Sequence, residues 1–156
     1  MEAAAQMERI ERVSIRAFGP GDREVVIAGR DAEIMRWLGP GSAQPAPSAM
    51  IVAGPDLVGW VDADSGASWL ARGEVNLGYA VFARYRGRGY AAGAVRLLLA
   101  DLAARRFDRA LLVVDRENTA SLAVARAIGA TPGEHAASSL FPTSVMHVVE
   151  LKGRVG

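Results

Sequence analysis

The chain has 156 residues and a formal net charge of +1, with no cysteine and two histidines. This length fits one domain with a core of ordinary size, and we expect a single domain over residues 1–156 with a flexible segment over residues 1–10. The lack of cysteine excludes disulfides and thiolate metal sites, and two histidines leave little scope for a zinc centre. No apolar run has the length of a membrane span, and the first residues do not resemble a secretory signal. We therefore expect a cytoplasmic protein with no membrane partner.

Hydropathy patterns in the first half of the chain predict strands and short helices. Residues 12–17 alternate apolar and polar side chains, which is typical of a half-buried strand. An apolar stripe between residues 22 and 38 predicts one or two short helices. The segment Gly39–Ser48 is rich in proline and glycine and predicts a mobile loop. Two strands at residues 49–53 and 57–61 form a predicted hairpin.

The second half of the chain predicts a unit of strand, helix and strand. A strand is predicted over residues 74–82, and a helix over residues 90–106 has apolar side chains at the spacing of one buried face. Residues 110–114 form a continuous apolar run, which is typical of a strand covered on both faces. A second helix over residues 119–128 and a final strand over residues 144–151 follow. This order predicts a mixed α/β fold with a largely antiparallel first half and a parallel strand pair around the long helix.

The most distinctive motif is R-G-R-G-Y-A, which runs from Arg86 to Ala91. Two glycines beside the start of a helix let backbone N–H groups approach an anion, and that end of a helix carries partial positive charge. The surrounding segment 84–109 has seven arginines against two aspartates, which strengthens the positive field. The motif therefore predicts a site for phosphate groups. The small net charge of the chain argues against a nucleic-acid partner, and a basic nucleic-acid patch is the third interpretation of this segment.

A dinucleotide is one candidate ligand for the motif. The spacing Gly87-x-Gly89-x-x-Ala92 satisfies the relaxed dinucleotide-binding fingerprint, and Asp115 lies where an acid that binds ribose would stand. Against this ligand, residues 83–86 separate the strand from the first glycine. A strand, helices and a hairpin also precede the unit, whereas a dinucleotide-binding domain normally begins with it. We therefore place a dinucleotide behind the other candidate, coenzyme A.

Coenzyme A is favoured because the same residues carry a resemblance. The segment from Gly78 to Ala91, G-Y-A-V-F-A-R-Y-R-G-R-G-Y-A, resembles motif A of the GNAT superfamily of acyl-CoA-dependent N-acetyltransferases. The core of that motif begins with Arg or Gln, has Gly three residues later, and has Gly or Ala two residues after that Gly. Arg86, Gly89 and Ala91 fit these three positions. The resemblance implies a mixed α/β fold whose central sheet is mostly antiparallel and flanked by helices, with a splayed parallel strand pair in the middle.

The resemblance also implies where acetyl-CoA binds. Backbone N–H groups from Gly87 to Ala92 would hold the pyrophosphate, and the strand that ends at Val81 and Phe82 would pair with the pantetheine arm. No metal ion takes part in such a site. The CoA-binding residues that the resemblance implies are Val81, Phe82, Arg86, Gly87, Arg88, Gly89, Ala91, Ala92 and Asn118.

A second segment supports the resemblance independently. The segment from Val113 to Ala130, V-V-D-R-E-N-T-A-S-L-A-V-A-R-A-I-G-A, resembles a later part of the superfamily, in which an Asn and, in one branch, a Ser three residues on start a helix. That branch includes the ribosomal-protein N-terminal acetyltransferases, and Asn118 and Ser121 match it. Many members have a tyrosine acid seven residues after the Asn, but that position is Ala125. The resemblance therefore gives Ser121 the role of proton donor to the thiolate, and a helix cap without catalytic function is an equal alternative for both residues.

Glu74 is the first candidate for a general base, and Asp62 is the second. Glu74 and Asn76 share one side of the predicted strand, and in related enzymes a carboxylate on this strand often accepts the proton of the amine. An exposed carboxylate near the end of a strand is an equally open interpretation of Glu74. His135 and His147 are interpreted as structural or solvated.

The sequence thus predicts an N-acetyltransferase that moves acetyl from acetyl-CoA to a primary amine by direct attack. The amine is a protein N-terminus or a small molecule, and the sequence does not identify it. A catalytically idle acyl-CoA-binding sensor or scaffold is the alternative function. A homodimer would complete an acceptor groove, although no residue in the sequence specifies one.

Overall fold

A computed structural model describes residues 13–152 of the chain. The predicted flexible segment over residues 1–10 lies outside the described residues. The described chain divides into two compact units, the first formed by residues 13–62 and 79–97 and the second by residues 63–78 and 98–152. The expectation of a single domain stays a prediction.

The first unit combines a strand hairpin with two short helices. Its elements include β1 (Val13–Ala17), α1 (Asp22–Ala28), α2 (Ala32–Leu38), β2 (Ala49–Ala53) and most of β3 (Asp56–Asp64). β1 pairs antiparallel with β2, and β2 pairs antiparallel with β3 in the predicted hairpin. The predicted apolar stripe divides into two helices at Asp31, whose carboxylate caps α2 by accepting from the Ile34 N–H.

A parallel strand pair and one long helix organise the rest of the chain. The elements are β4 (Glu74–Val81), α3 (Tyr90–Ala104), β5 (Arg109–Asp115), α4 (Thr119–Ala127), β6 (Thr131–Pro132) and β7 (Ser144–Glu150). β5 pairs antiparallel with β7 over its whole length, and the two-residue β6 pairs antiparallel with β7. The continuous apolar run of β5 is buried, as the sequence predicts.

The strands form a seven-stranded sheet in the order β1-β2-β3-β4-β5-β7-β6. β4 and β5 pair in parallel, whereas β1, β2 and β3 and likewise β5, β7 and β6 pair antiparallel. The parallel ladder covers only Glu74–Asn76 of β4 and Arg109–Leu111 of β5, and β4 continues to Val81 after the ladder ends. The predicted fold class is confirmed: a mixed α/β fold with a mostly antiparallel sheet, flanking helices and a parallel pair in the middle.

The core of the first unit places both short helices over the end of β4. It consists of Val26, Ile34, Met50, Ala80 and Phe82. Burying an aliphatic or aromatic side chain of this size stabilises the fold by roughly 1.5–3 kcal/mol. The helices α1 and α2 are therefore held beside the residues that lead into the R-G-R-G-Y-A motif.

Element boundaries differ from the predictions where backbone conformation or length decides them. The helix α3 ends at Ala104 and not at Arg106, because Arg106 has a φ of 65°, which a right-handed helix cannot contain. Sequence periodicity does not predict β6, because two residues are too few to show alternation. No helix among residues 13–152 is long and apolar enough to cross a membrane.

Candidate active site

The loop after β4 leaves several backbone N–H groups without backbone partners. Gly87 and Gly89 have φ values of 78° and 80°, which glycine adopts without strain. The first hydrogen bond of α3 runs from the Gly93 N–H to the Gly89 C=O. Within the described part of the chain, the N–H groups from Gly87 to Ala92 therefore have no backbone acceptor.

The space beside these two glycines is open. A Cβ atom on Gly87 or on Gly89 would meet no other atom within 4 Å. An anion can therefore approach the backbone at this point, where the N-terminus of α3 adds partial positive charge. The pyrophosphate of acetyl-CoA fits this loop, because its oxygens can accept from N–H groups that the helix leaves unused.

Arg86 is held by two partners within the first unit. Its Nε donates to the Val81 C=O at 3.0 Å, and its Nη1 and Nη2 donate to the two carboxylate oxygens of Asp31 at 2.7 and 2.9 Å. This ion pair, together with the bond from the Ile34 N–H, lowers the pKa of Asp31 to about 2. Because Asp31 also caps α2, Arg86 ties the loop to that helix. The predicted contact of Arg86 with CoA stays a prediction, and in the structure its guanidinium braces the loop.

Arg84 and Arg88 carry positive charge on the surface of the loop. Both side chains are exposed, and their guanidinium carbons lie 5.7 and 5.9 Å from the centre of the Tyr85 ring. An exposed contact of this kind stabilises a guanidinium by only about 0.5–1 kcal/mol. Arg88 can therefore leave the ring for a phosphate at little cost.

Val81 is the last residue of β4 and Phe82 follows it, and the two residues have different backbone roles. The Phe82 N–H donates to the Val58 C=O of β3 at 2.9 Å, and the Phe82 ring is buried in the core of the first unit. Because successive residues of a strand direct their N–H groups to opposite edges, the Val81 N–H lies on the edge away from β3. The predicted pairing of the pantetheine arm would therefore use Val81 and leave Phe82 to packing.

The helix α4 begins with a side-chain cap. The Asn118 Oδ1 accepts from the Ser121 N–H at 3.1 Å, and Ser121 is half-buried in the first turn. The structure therefore brings these two predicted residues into contact. Ala125, at the position of the superfamily's tyrosine, is fully buried, so a side chain at that position faces the protein interior.

Glu74 is a buried and fully engaged carboxylate at the start of β4, only 4% exposed. Its Oε1 accepts from the Ala71 N–H at 2.8 Å and lies 2.7 Å from His135 Nε2, and its Oε2 accepts from Arg109 Nη1 at 3.4 Å. Burial by itself raises the pKa of Glu74, but the hydrogen bonds from these three groups outweigh burial, and the pKa falls below its usual value. The carboxylate is therefore ionised at neutral pH.

The contact of His135 with Glu74 is one that sequence reasoning missed. His135 Nδ1 accepts from the Ala137 N–H at 2.9 Å, so the neutral ring carries its proton on Nε2, which donates to Glu74. The Trp69 ring packs edge-on against His135, with 5.9 Å between ring centres. His135 and Glu74 are 61 residues apart, and no local pattern in the sequence indicates their contact.

Asn76 shares the face of β4 with Glu74, as the alternation of the strand predicts. Its Oδ1 is buried and has no hydrogen-bond partner within residues 13–152. A buried oxygen without a donor costs roughly 1–3 kcal/mol.

The predicted site residues fall into the two compact units. The loop from Val81 to Ala92 belongs to the first unit, and Glu74, Asn118 and Ser121 belong to the second. No group of three or more His, Asp or Glu side chains in the described residues could hold a metal ion.

A family model and solved structures resemble this chain. Residues 12–131 match the family model described as an acetyltransferase (GNAT) domain, which covers most of the chain. A comparison with curated protein sequences finds no match.

Three solved structures are similar over nearly the whole chain. An aminoglycoside acetyltransferase in complex with coenzyme A and kanamycin has a TM-score of 0.74 at 13% identity, covering 88% of this chain and 94% of that chain. The spermidine N-acetyltransferase of Vibrio cholerae in complex with CoA and spermine has a TM-score of 0.72 at 12% identity, covering 90% and 96%. A Vibrio cholerae structure provisionally described as a ribosomal-protein-serine acetyltransferase has a TM-score of 0.64 at 19% identity, covering 90% and 94%. Identities this low show a shared fold.

Proposed function

Because the chain belongs to the GNAT acetyltransferase family and is an acetyl-CoA-dependent N-acetyltransferase, we propose that it transfers acetyl to a primary amine by direct attack of that amine. The acceptor would be a protein N-terminus or a small molecule. The observation that carries the proposal is the set of unused N–H groups from Gly87 to Ala92, on residues that resemble the CoA motif of the family. The neighbours solved with CoA and kanamycin or spermine support an amine as the acceptor.

The proposed reaction needs positioning more than it needs an activated nucleophile. The amine nitrogen attacks the thioester carbonyl of acetyl-CoA, and the tetrahedral intermediate collapses as the bond from carbon to sulfur breaks. Coenzyme A leaves as a thiolate, which Ser121 or water would protonate. The Val81 N–H would stabilise the oxygen that becomes negative in this intermediate. Holding the two substrates in line converts a bimolecular encounter into an intramolecular step, which accounts for most of the expected rate enhancement.

Two carboxylates are candidates for accepting the proton that the amine nitrogen loses. Glu74 is ionised, but its oxygens already accept three hydrogen bonds, and its lowered pKa makes it a weak base. Asp62 accepts from the N–H and the Oγ of Ser48, both at 3.0 Å and both through Oδ1. We keep Glu74 as the first candidate and Asp62 as the second.

The variants Glu74→Gln and Asp62→Asn separate these candidates, because each removes a charge and keeps the shape of the side chain. We expect Glu74→Gln to lower kcat at least tenfold with the KM for acetyl-CoA unchanged, measured below the melting temperature of each variant. Asp62→Asn makes the same change at the second candidate, and we expect it to leave kcat within twofold of the original chain. A fall in kcat that is confined to Asp62→Asn would give the role of base to Asp62.

Release of the CoA thiol in the presence of amines tests the proposed function. The chain is incubated with acetyl-CoA and a peptide N-terminus, a polyamine, an aminoglycoside or an aralkylamine. The mass of the acceptor is then measured by mass spectrometry. We expect thiol release that depends on the amine and a product heavier by one acetyl group for at least one acceptor. Binding of acetyl-CoA without transfer to any of them would favour the CoA-binding scaffold.

A further inference from the structure

Gly59 lies in the middle of β3, although the interior of a strand is an unfavourable place for glycine. Glycine loses more conformational freedom on folding than any other residue, and it has no side chain to pack. The φ of Gly59 lies outside the left-handed region, so the conformation of its own backbone does not require glycine. The reason for glycine at this position therefore lies in its surroundings.

The backbone of β4 occupies the space in which a side chain of Gly59 would lie. A Cβ atom on Gly59 would overlap the Ala80 carbonyl oxygen, and it would lie 3.0 Å from Val81 Cα and 3.1 Å from the Ala80 carbonyl carbon. These atoms belong to the backbone, so they cannot rotate away as the end of a flexible side chain can. Gly59 therefore permits a close approach of β4 that a residue with a side chain would prevent.

The Ala80 C=O and the Val81 N–H belong to one peptide group. A peptide group is planar, and in a trans peptide bond its C=O and its N–H point in opposite directions. No cis peptide bond occurs within residues 13–152. Because the Ala80 oxygen lies against Gly59 of β3, the Val81 N–H points away from β3. The contact with Gly59 therefore sets the direction of this N–H group.

Two hydrogen bonds and a buried core hold the backbone next to this peptide group. The Phe82 N–H donates to the Val58 C=O at 2.9 Å, and Arg86 Nε donates to the Val81 C=O at 3.0 Å. Ala80 and Phe82 are both buried in the core of the first unit. The peptide group between Ala80 and Val81 cannot turn far without disturbing these contacts.

We propose that Gly59 is a positioning residue for acetyl transfer, because it directs the Val81 N–H at the thioester oxygen of acetyl-CoA. This inference rests on the proposed function, in which that N–H stabilises the oxygen as it becomes negative. Such stabilisation needs a donor that already points at the oxygen before the reaction begins, so turning the peptide group would slow the reaction. Gly59 acts through the Val81 peptide group and not by contact with a substrate.

The variant Gly59→Ala tests this role against two control variants. Gly19→Ala makes the same change where a Cβ meets nothing within 4 Å, and Val61→Ala shortens a fully buried side chain of the same strand. We expect Gly59→Ala to lower kcat at least tenfold and to keep the Kd for CoA within about twofold, because CoA lacks the thioester oxygen. Val61→Ala should lower the Tm and leave kcat unchanged, and Gly19→Ala should change neither. All rates are measured with saturating substrates below the Tm of each variant.

Nuclear magnetic resonance separates positioning from a general loss of stability. In the original chain, the chemical shift of the Val81 amide proton should differ between the CoA complex and the acetyl-CoA complex. We expect Gly59→Ala to lose this difference and both control variants to keep it. The residual dipolar coupling of the Val81 N–H should also show one orientation in the free chain and in the acetyl-CoA complex. This comparison uses the original chain, so it tests the proposal even if Gly59→Ala does not fold.

Equal values of kcat for Gly59→Ala and Gly19→Ala, or a Val81 N–H that turns when acetyl-CoA binds, would overturn the proposal. A raised Kd for CoA with an unchanged kcat in Gly59→Ala would also overturn it, because the N–H would then serve binding and not transfer. Acetyl transfer at equal rates in Gly59→Ala and Gly19→Ala would leave the proposed function standing. A difference in chemical shift that only Gly59→Ala loses, in a chain that acetylates no amine, would support the role of Gly59 and remove the proposed function.

Discussion

At the scale of single residues, two carboxylates are held by partners far away in the chain. Asp31 receives both Nη atoms of Arg86, and Glu74 contacts His135 and Arg109. Both carboxylates consequently have lowered pKa values and are ionised at neutral pH. The two carboxylates hold the loops that contain Arg86 and His135. This structural role does not depend on whether either carboxylate acts in catalysis.

Sequence reasoning identified Glu74 but could not identify its partners. Local patterns report which residues share a face of a strand or a helix, and they placed Glu74 and Asn76 on one side of β4. The contacts with His135 and Arg109 depend on how the late loop and β5 pack, which needs tertiary structure. His135, which the sequence suggested to be structural or solvated, is a direct partner of the candidate base.

Substitution of Ser121 by alanine tests its predicted role as the acid. We expect Ser121→Ala to lower kcat by about tenfold to a hundredfold and to change the KM for acetyl-CoA less than twofold, because a proton donor acts on the leaving thiolate and not on CoA binding. Steady-state kinetics with a saturating amine provide the measurement. Thr119→Ala, an exposed hydroxyl in the first turn of the same helix, is the control. Turnover equal to that of the control would remove Ser121 from the mechanism.

At the scale of elements, sequence patterns located every strand and α-helix of residues 13–152 except the two-residue β6, and they did not predict the single 3-10 turns at Ala83–Tyr85 and Ser138–Leu140. The βαβ unit was predictable, because a long amphipathic helix between two apolar strands has few alternatives. The early apolar stripe divides into α1 and α2 at Asp31, whose carboxylate caps α2 and also accepts from Arg86. The hydrogen bonds of the segment Gly39–Ser48 to the rest of the first unit were not predictable, because proline and glycine indicate irregular backbone and do not report its partners.

The loop after β4 is tested by a glycine substitution with a control of equal strain. Gly89→Ala places a Cβ at a φ of 80° and in the space beside the N–H groups, and Gly54→Ala places one at a φ of 59° in the turn between β2 and β3. Each variant should lose about 1 kcal/mol of stability from strain. We expect only Gly89→Ala to weaken the binding of acetyl-CoA, with a Kd at least tenfold higher in calorimetric titration. Equal affinities of the two variants for acetyl-CoA would show that the loop is not the phosphate site.

The pair of Asp31 and Arg86 predicts an acid-sensitive contribution to stability. The pKa of Asp31 is about 2 in the folded chain against 3.8 for a free side chain, so the stabilisation is fully present above pH 4 and is lost as the pH falls toward 2. Both side chains are one-third exposed, and after solvent screening the contribution is roughly 1 kcal/mol.

Asp31→Asn isolates this contribution, because asparagine still caps α2 but carries no charge. The free energies of unfolding of the original chain and of the variant are measured by chemical denaturation at pH 6 and at pH 2.5. The original chain should be more stable than the variant at pH 6, and this difference in free energy should shrink at pH 2.5. A difference that stays constant between these pH values would mean that the ion pair does not stabilise the fold.

At the scale of the whole molecule, the fold and the donor could be predicted and the acceptor could not. The R-G-R-G-Y-A motif and the Asn118 helix cap are local, and the sequence shows both at the spacing that the family uses. An acceptor site is built from elements that are distant in the sequence, and its shape depends on how those elements pack, which local patterns do not report. The homodimer stays a prediction. Size-exclusion chromatography of the chain with and without acetyl-CoA would test it through the elution volume.

Thermal melting of the chain with acetyl-CoA and with NAD tests most directly whether the loop after β4 is a coenzyme A site. A ligand at a hundredfold excess over its Kd adds about 2.7 kcal/mol of stability, which for a chain of this size raises the Tm by roughly 5–10 °C. We expect acetyl-CoA to raise the Tm with a shift that grows with its concentration, and NAD to leave the Tm unchanged at the same concentrations. A shift with NAD and none with acetyl-CoA would contradict the assignment and return the motif to its dinucleotide interpretation.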